Sequence, residues 1–248
     1  MCVICEGVYD DQTTSIFACW NVTSMPFLPN LIYLDISGCV LLTSLPALPN
    51  VTTLYCYGCT LLTHLPELPN ATTLDCYGCE SLTYLPELPN ATTLKCNCCE
   101  SLTHLPHLPK VITLNCSNCI SLTSLSPSLP RVETLNCFGC VVLTYLPKIH
   151  SVTYLDCTDC WLLTSLPVIN NTVTLYCDNC SWLNYYSNTE YNINISRLTR
   201  LQRWYRRMLW CKYLTSREFI EWCYHPDNIG GRYAKRGIIN FISTSLIS

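Results

Sequence analysis

Charged residues, glycines and long hydrophobic runs are all scarce in this sequence of 248 residues. Only 12% of the residues are charged, about half the ~25% usual in soluble domains, and there are 8 glycines. No apolar run reaches the ~18 residues that a membrane-spanning helix needs. The start, MCVICEGVYDDQ, lacks the basic and apolar regions of a secretory signal. We therefore expect no transmembrane segment, no export through a signal peptide, and a thiol-reducing compartment.

The few charges are distributed unevenly along the chain. Residues 1–184 hold 4 basic and 13 acidic residues, a balance of −9, whereas residues 185–248 hold 10 basic and 4 acidic residues, a balance of +6. This change of sign predicts two parts with different surfaces and different roles.

Cysteine and leucine, in contrast, are abundant and periodic. The element Leu-x-Cys-x-x-Cys, with Ile36 replacing the first cysteine of its first copy, recurs every 20 residues except for one interval of 21 that contains LSPSLP. Its anchors are Leu34, Leu54, Leu74, Leu94, Leu114, Leu135, Leu155 and Leu175. A degenerate ninth copy precedes them, in which Ile16 aligns with Ile36 and Cys19 with Cys39. We predict a degenerate capping repeat over 1–30, eight repeats over 31–184 and a basic α-helical module over 185–248.

The composite repeat, V/A-x-x-L-x-C-x-x-C-x-x-L-T-x-L-P-x-L-P-N, resembles a short leucine-rich repeat of the LPxLP type. Similar units occur in bacterial secreted effectors, and CxxLT is similar to the cysteine-containing repeats of F-box-associated proteins. Together with the tail EFIEWCYHPDNIGGRYAKRGIINFI, the combination resembles leucine-rich repeat proteins of giant DNA viruses that infect amoebae. This resemblance implies a curved solenoid located in the host cytoplasm or in the virion.

Elementary geometry predicts the same architecture. Leu74 and Cys76 alternate around Asp75, so both point to one side of a short strand. The return segment TYLPELP has two prolines three residues apart, which excludes an α-helix and favours polyproline II. We predict a leucine-rich repeat arc with short parallel β-strands on its concave side and polyproline-II-like segments on its convex side.

The repeated cysteine pairs allow three interpretations. We favour a buried core, because Ile36 fills the first column, and because Cys79 stands where many leucine-rich repeats place an asparagine that binds backbone carbonyls. Disulfides between equivalent cysteines of successive repeats are an alternative, since their Cα atoms would lie about 4.8 Å apart. Metal binding is the third, but no histidine interleaves with the cysteines at ligand spacing. We predict no metal and no cofactor.

The outward strand positions form the predicted binding face on the concave side, where such arcs usually hold partners. Tyr55, Tyr57 and Tyr77 would cluster there, and aromatic side chains are enriched at binding hot spots. Good strand-forming propensity explains the same tyrosines without any partner. The full predicted set is Tyr55, Tyr57, Asp75, Tyr77, Lys95, Asn97, Phe138, Asp156 and Tyr176.

The C-terminal module is predicted to be a small α-helical cap over the open end of the sheet. Its first helix, SRLTRLQRWYRRMLWCKYL, is amphipathic and carries Arg200, Arg203, Arg206 and Arg207. These arginines could alternatively bind a calmodulin-like protein, through an approximate IQ-type motif, or an anionic surface.

No catalytic constellation stands out in the sequence. The related bacterial effectors often continue into a ubiquitin-ligase domain with a Cys-x-Asp element, and neither Cys211 nor Cys223 has that context. We therefore predict a non-catalytic interaction module that binds a protein partner through its concave face. The alternative is a structural component of a giant-virus particle or of its surface layer.

Overall fold

The computed structural model describes residues 3–169 and 173–180. Within these ranges the chain forms one short helix, α1 (Val3–Glu6), and nine strands of three residues each. The strands are β1 (Ser15–Phe17), β2 (Tyr33–Asp35), β3 (Thr53–Tyr55), β4 (Thr73–Asp75), β5 (Thr93–Lys95), β6 (Thr113–Asn115), β7 (Thr134–Asn136), β8 (Tyr154–Asp156) and β9 (Thr174–Tyr176). The predicted helical module over 185–248, including its four arginines, lies outside the described residues.

All nine strands form one parallel sheet in sequence order. The register is constant from β2 to β9: each anchor leucine lies opposite the anchor leucine of the next repeat, as Leu74 lies opposite Leu94. A repeat of this kind places every column of equivalent residues in line along the stack. The chain is therefore a parallel β-solenoid, as the leucine spacing predicts.

The first strand corrects the alignment of the degenerate repeat. Ile16 lies opposite Leu34 and not at the position of Ile36, so the strand is displaced by two residues from its predicted place. The following bend keeps the expected alignment, because the Val22 backbone N–H donates to the Cys19 carbonyl oxygen at 3.2 Å, as the Leu42 N–H donates to the Cys39 carbonyl oxygen at 3.1 Å one repeat later. A displacement of two residues leaves Ile16 facing inward, so its hydrophobicity cannot distinguish the two registers.

The interior is a continuous column of leucine and cysteine side chains. In the repeat that contains β4, Leu74, Cys76, Cys79, Leu82 and Leu88 are fully buried. A single repeat could not shield these side chains from water, and stacking shields them on both sides.

Most return segments carry two prolines, and within the described residues they contain no helix or strand apart from an isolated bridge between His104 and Ser124. Residues 82–88, for example, contain no helix or strand, and their polyproline-II path stays a prediction. No helix within 3–169 and 173–180 is long and apolar enough to cross a membrane.

The one 21-residue repeat accommodates its extra residue through a buried serine. The Ser126 hydroxyl accepts a hydrogen bond from the Leu108 backbone N–H at 3.2 Å and donates to the Ser128 carbonyl oxygen at 3.1 Å. Because these bonds satisfy the buried hydroxyl, the insertion is absorbed in the return segment and the strand register continues unchanged.

Candidate binding surface

The second thiol of each pair joins its repeat to the strand end of the preceding repeat. Cys79 Sγ donates to the Cys56 carbonyl oxygen at 3.0 Å, and the same bond recurs down the stack as Cys99 to Cys76 and Cys119 to Cys96. The donor role predicted for the second cysteine is confirmed. A strand-end carbonyl buried without such a donor would cost free energy, so the second thiol replaces the asparagine that the resemblance leads one to expect.

Burial and neighbouring thiols raise the pKa of the first-column thiols and of Cys59 above the usual value. Burial, followed by the nearby thiols of Cys79 and Cys39, raises the pKa of Cys59 to about 12. A hydrogen bond with the Cys79 thiol, and burial, raise the pKa of Cys56 well above its usual value. Among residues 3–169 and 173–180, no group of three or more His, Cys, Asp or Glu side chains is arranged to hold a metal ion. The columns behave as packing and hydrogen-bonding groups.

The opposite side of the strands, the outward sheet face, carries the predicted binding residues. The strand register sets Tyr55, Asp75 and Lys95 side by side on β3, β4 and β5. Tyr57 and Tyr77 lie just beyond these strands and are 48% and 46% exposed. Because one face carries these five residues on adjacent strands, they form a single local surface.

The remaining predicted residues lie further along the stack. Asn97 follows β5 and Phe138 follows β7, and both are half-buried. Asp156 and Tyr176 lie opposite one another on β8 and β9. With neighbouring strands about 4.8 Å apart, β3 and β9 are separated by about 29 Å, so the full predicted set cannot be one compact site.

Sequence reasoning missed two aromatic residues that extend the tyrosine cluster. The ring centroids of Phe17 and Tyr33 are 5.0 Å apart, and those of Tyr33 and Tyr55 are 5.8 Å apart, both in tilted arrangements. Such separations are typical of favourable aromatic pairs. Phe17 nevertheless remains 60% exposed. We name the five side chains on this part of the face the N-terminal aromatic patch: Phe17, Tyr33, Tyr55, Tyr57 and Tyr77.

The charged groups beside the patch are partly committed to the fold. Asp75 Oδ1 accepts a hydrogen bond from the Tyr77 backbone N–H at 3.3 Å, and its other carboxylate oxygen lies 3.5 Å from Lys95 Nζ. An Asp or Asn at this position accepts the N–H two residues later in five repeats: Asp35, Asp75, Asn115, Asn136 and Asp156. The acidic residues of the predicted set, Asp75 and Asp156, thus also close the turn after their strand.

A groove of about 640 Å³ runs along the strand starts of the first repeats. Its lining includes Asn50, Asn70 and Asn90, whose amide nitrogens each donate to a proline carbonyl oxygen of the preceding repeat at 2.8 Å. Lys110 Nζ donates to the Asn90 amide oxygen at 2.7 Å. These asparagines join neighbouring repeats, which gives them a structural role.

No family model matches the chain, and no curated protein matches it. Among solved structures, it is similar to the crystal structure of a leucine-rich repeat protein from Bacteroides ovatus ATCC 8483, with 16% identity and a TM-score of 0.39. The similarity covers 63% of this chain and 54% of that one, so the chain spans about half the length of its structural neighbour. The assignment as a repeat solenoid rests on the chain's own strand register and buried columns.

Proposed function

We propose that this chain is a non-catalytic protein-binding solenoid that holds a protein partner on the N-terminal aromatic patch of its concave face. The observation that carries the proposal is the exposure of large aromatic side chains on adjacent strands whose inner side is fully buried. Rigid aromatic groups lose little entropy on binding and are enriched among residues that dominate binding energy. The stack beneath them holds the rings in fixed positions, so little ordering is needed when a partner docks.

Charge and ring chemistry favour a partner segment with both apolar and cationic side chains. Asp35, the last residue of β2, pairs with Tyr55 of β3 and adds negative charge beside the aromatic rings. Electron-rich ring faces attract arginine and lysine, and carboxylates reinforce that preference. Phe138, Asp156 and Tyr176 would contact a partner that extends along several more strands.

The setting of this interaction is proposed from the resemblance of the repeat and tail to giant-virus proteins. It favours a partner in the cytoplasm of an infected amoeba. The alternative, a structural component of the particle, predicts that purified particles contain the chain in abundance. In that case the partner on the patch would be another particle protein.

The decisive experiment compares two matched variants of the full chain. In the patch variant, Phe17, Tyr33 and Tyr57 are replaced by Ala. In the control variant, Tyr84 and Tyr145, which lie on return segments and are 45% and 50% exposed, are replaced by Ala. Partners captured by the unmodified chain from host lysate are identified by mass spectrometry and their affinities measured.

We expect the patch variant to bind at least about tenfold more weakly, because truncating one hot-spot residue costs ~2 kcal/mol or more and ~1.4 kcal/mol corresponds to a tenfold change in affinity. The control variant should bind normally, and both should retain the circular dichroism of the unmodified chain. Equal binding by both variants would refute the patch. A third variant, with Arg200, Arg203, Arg206 and Arg207 replaced by Gln, tests whether a captured partner or anionic surface uses the basic module instead.

A further inference from the structure

Two cysteines near the start of the chain differ from all those of the thiol columns. Cys5 lies on α1 and Cys19 follows β1, and their sulfur atoms are 3.2 Å apart. Cys5 is exposed and Cys19 is half-buried, whereas the paired column cysteines from Cys56 to Cys160 are completely shielded from solvent. Close sulfur atoms and access to solvent therefore coincide at this pair.

The geometry needs only a small movement to bring these sulfurs to bonding distance. A disulfide bond is about 2.05 Å long, so the two atoms would have to approach by about 1.2 Å. The helix that carries Cys5 has only four residues and is followed at once by Gly7, whose φ of +66° ends it. Ile4 packs against the core and keeps this helix beside the first repeat.

We propose that Cys5 and Cys19 form a disulfide bond on exposure to a small-molecule disulfide such as oxidised glutathione. The thiolate of the exposed Cys5 attacks one glutathione sulfur, which forms a mixed disulfide and releases one glutathione thiolate. The Cys19 thiolate then attacks the Cys5 sulfur and releases the second glutathione. Two protein thiols lose two electrons and two protons in total, and one glutathione disulfide is reduced to two glutathione molecules.

Selectivity follows from the contrast with the buried columns. Thiol–disulfide exchange requires a thiolate that the oxidant can reach. The column thiols are buried, so the oxidant cannot reach them in the folded chain. Burial also raises the pKa of Cys59 and Cys177 to about 12, which keeps these two thiols protonated at neutral pH. Cys98 is half-buried, and its sulfur accepts a hydrogen bond from the Asn118 side-chain amide at 3.9 Å, a group that cannot resolve a mixed disulfide.

The bond would fasten the N-terminal helix to the edge of the sheet. It closes a loop over the segment between Cys5 and Cys19 and restricts the separation of α1 from β1. Oxidation would thereby protect the end of the stack at which the N-terminal aromatic patch begins with Phe17. This inference does not depend on the proposed function.

The test uses the full-length folded protein and oxidised glutathione at neutral pH. Remaining thiols are blocked with N-ethylmaleimide, the protein is cleaved with chymotrypsin at Tyr9 and Phe17, and peptides are identified by mass spectrometry. We expect one linked pair of peptides containing Cys5 and Cys19, a loss of two reactive thiols, and reversal by dithiothreitol.

Two variants separate this pairing from its competitors. Cys5→Ser should abolish the linked peptides and leave at most a glutathione adduct on Cys19, whereas Cys2→Ser should leave the linkage intact. A bond from Cys2 to either cysteine, a link between two chains, stable glutathione adducts alone on the unmodified protein, or linked column cysteines would each overturn the proposal.

Discussion

The inner and outer sides of the same strands follow opposite rules. Inward positions repeat almost without change: leucine and then cysteine are fully buried from β3 to β7. The last outward residue differs on nearly every strand, from Tyr55 through Asp75 and Lys95 to Asn115. Both sides belong to the same strands in the same register, so the backbone does not explain the difference. It arises because the inward side chains must pack in the core and the outward ones need not. The solenoid needs only its interior to be uniform, which leaves the outward sheet face open to specialise.

The largest effect is expected when the pH is raised until the buried thiols ionise. The free energy of unfolding should then fall, because ionisation of these thiols favours the unfolded chain. The folded pKa of Cys59 and of Cys177 is about 12, above the usual value of 9.0, so the unfolded chain loses these protons first as pH rises. Their contribution to stability is therefore complete below about pH 9 and is lost progressively toward about pH 12. The first-column thiols shift in the same direction and add to the effect.

The measurement is the urea midpoint at neutral pH and at steps through this alkaline range. Burial and nearby Asp35 raise the pKa of Tyr33 as well, so thiolate and tyrosinate absorbance should be recorded separately. A midpoint that stays constant until tyrosinate forms would show that the thiol columns do not set the alkaline limit.

Two adjacent residues of β5 provide the next test. Leu94 is fully buried, and its replacement by Ala should lower the free energy of unfolding by about 3–5 kcal/mol, because transfer energy is lost and a cavity remains. Lys95 points outward, with its side chain 49% exposed, and contacts Asp75 across 3.5 Å. Lys95→Ala should cost less than about 1 kcal/mol, because an exposed ion pair contributes little. Similar losses in urea unfolding for the two variants would contradict the division between inner and outer sides.

The smallest expected difference separates the two thiol columns from each other. Cys79→Ala removes the donor to the buried Cys56 carbonyl oxygen and should cost about 1–3 kcal/mol. Cys76→Val should cost less than about 1.5 kcal/mol, because its column requires only an apolar side chain of moderate size and already accepts Ile36. Chemical denaturation of both variants decides the point. A greater loss for Cys76→Val would show that the first column has a role beyond packing.

The repeating part of the fold was predictable because its signals reinforce one another. The 20-residue period, the alternation around each anchor leucine and the proline pairs all specify a stack of short parallel strands. The donor role of Cys79 was also predictable, since its position at the bend leaves a carbonyl to satisfy. The predicted register of β1 was wrong, because a shift by two residues keeps Ile16 on the same face and the sequence cannot reveal it.

The aromatic patch on the outward sheet face was only partly predictable, for reasons of side-chain geometry. Tyr33 stands in a column otherwise occupied mainly by threonine, and only its ring direction brings it to Phe17 and Tyr55. The hydrogen bond by which Asp75 closes the turn after its strand could have been predicted, because Asp or Asn recurs at that position in five of the repeats. Whether Phe138, Asp156 and Tyr176 contribute to binding stays a prediction.

The one-directional thiol bonds have a consequence for how such a chain can grow. Each second-column thiol reaches back only to the preceding unit, so no bond in the series depends on the total number of units. Duplication of one unit in the gene would insert a strand with its own donor and acceptor already matched. Lineages could thus lengthen or shorten the outward sheet face by unequal crossing-over, without compensating changes elsewhere.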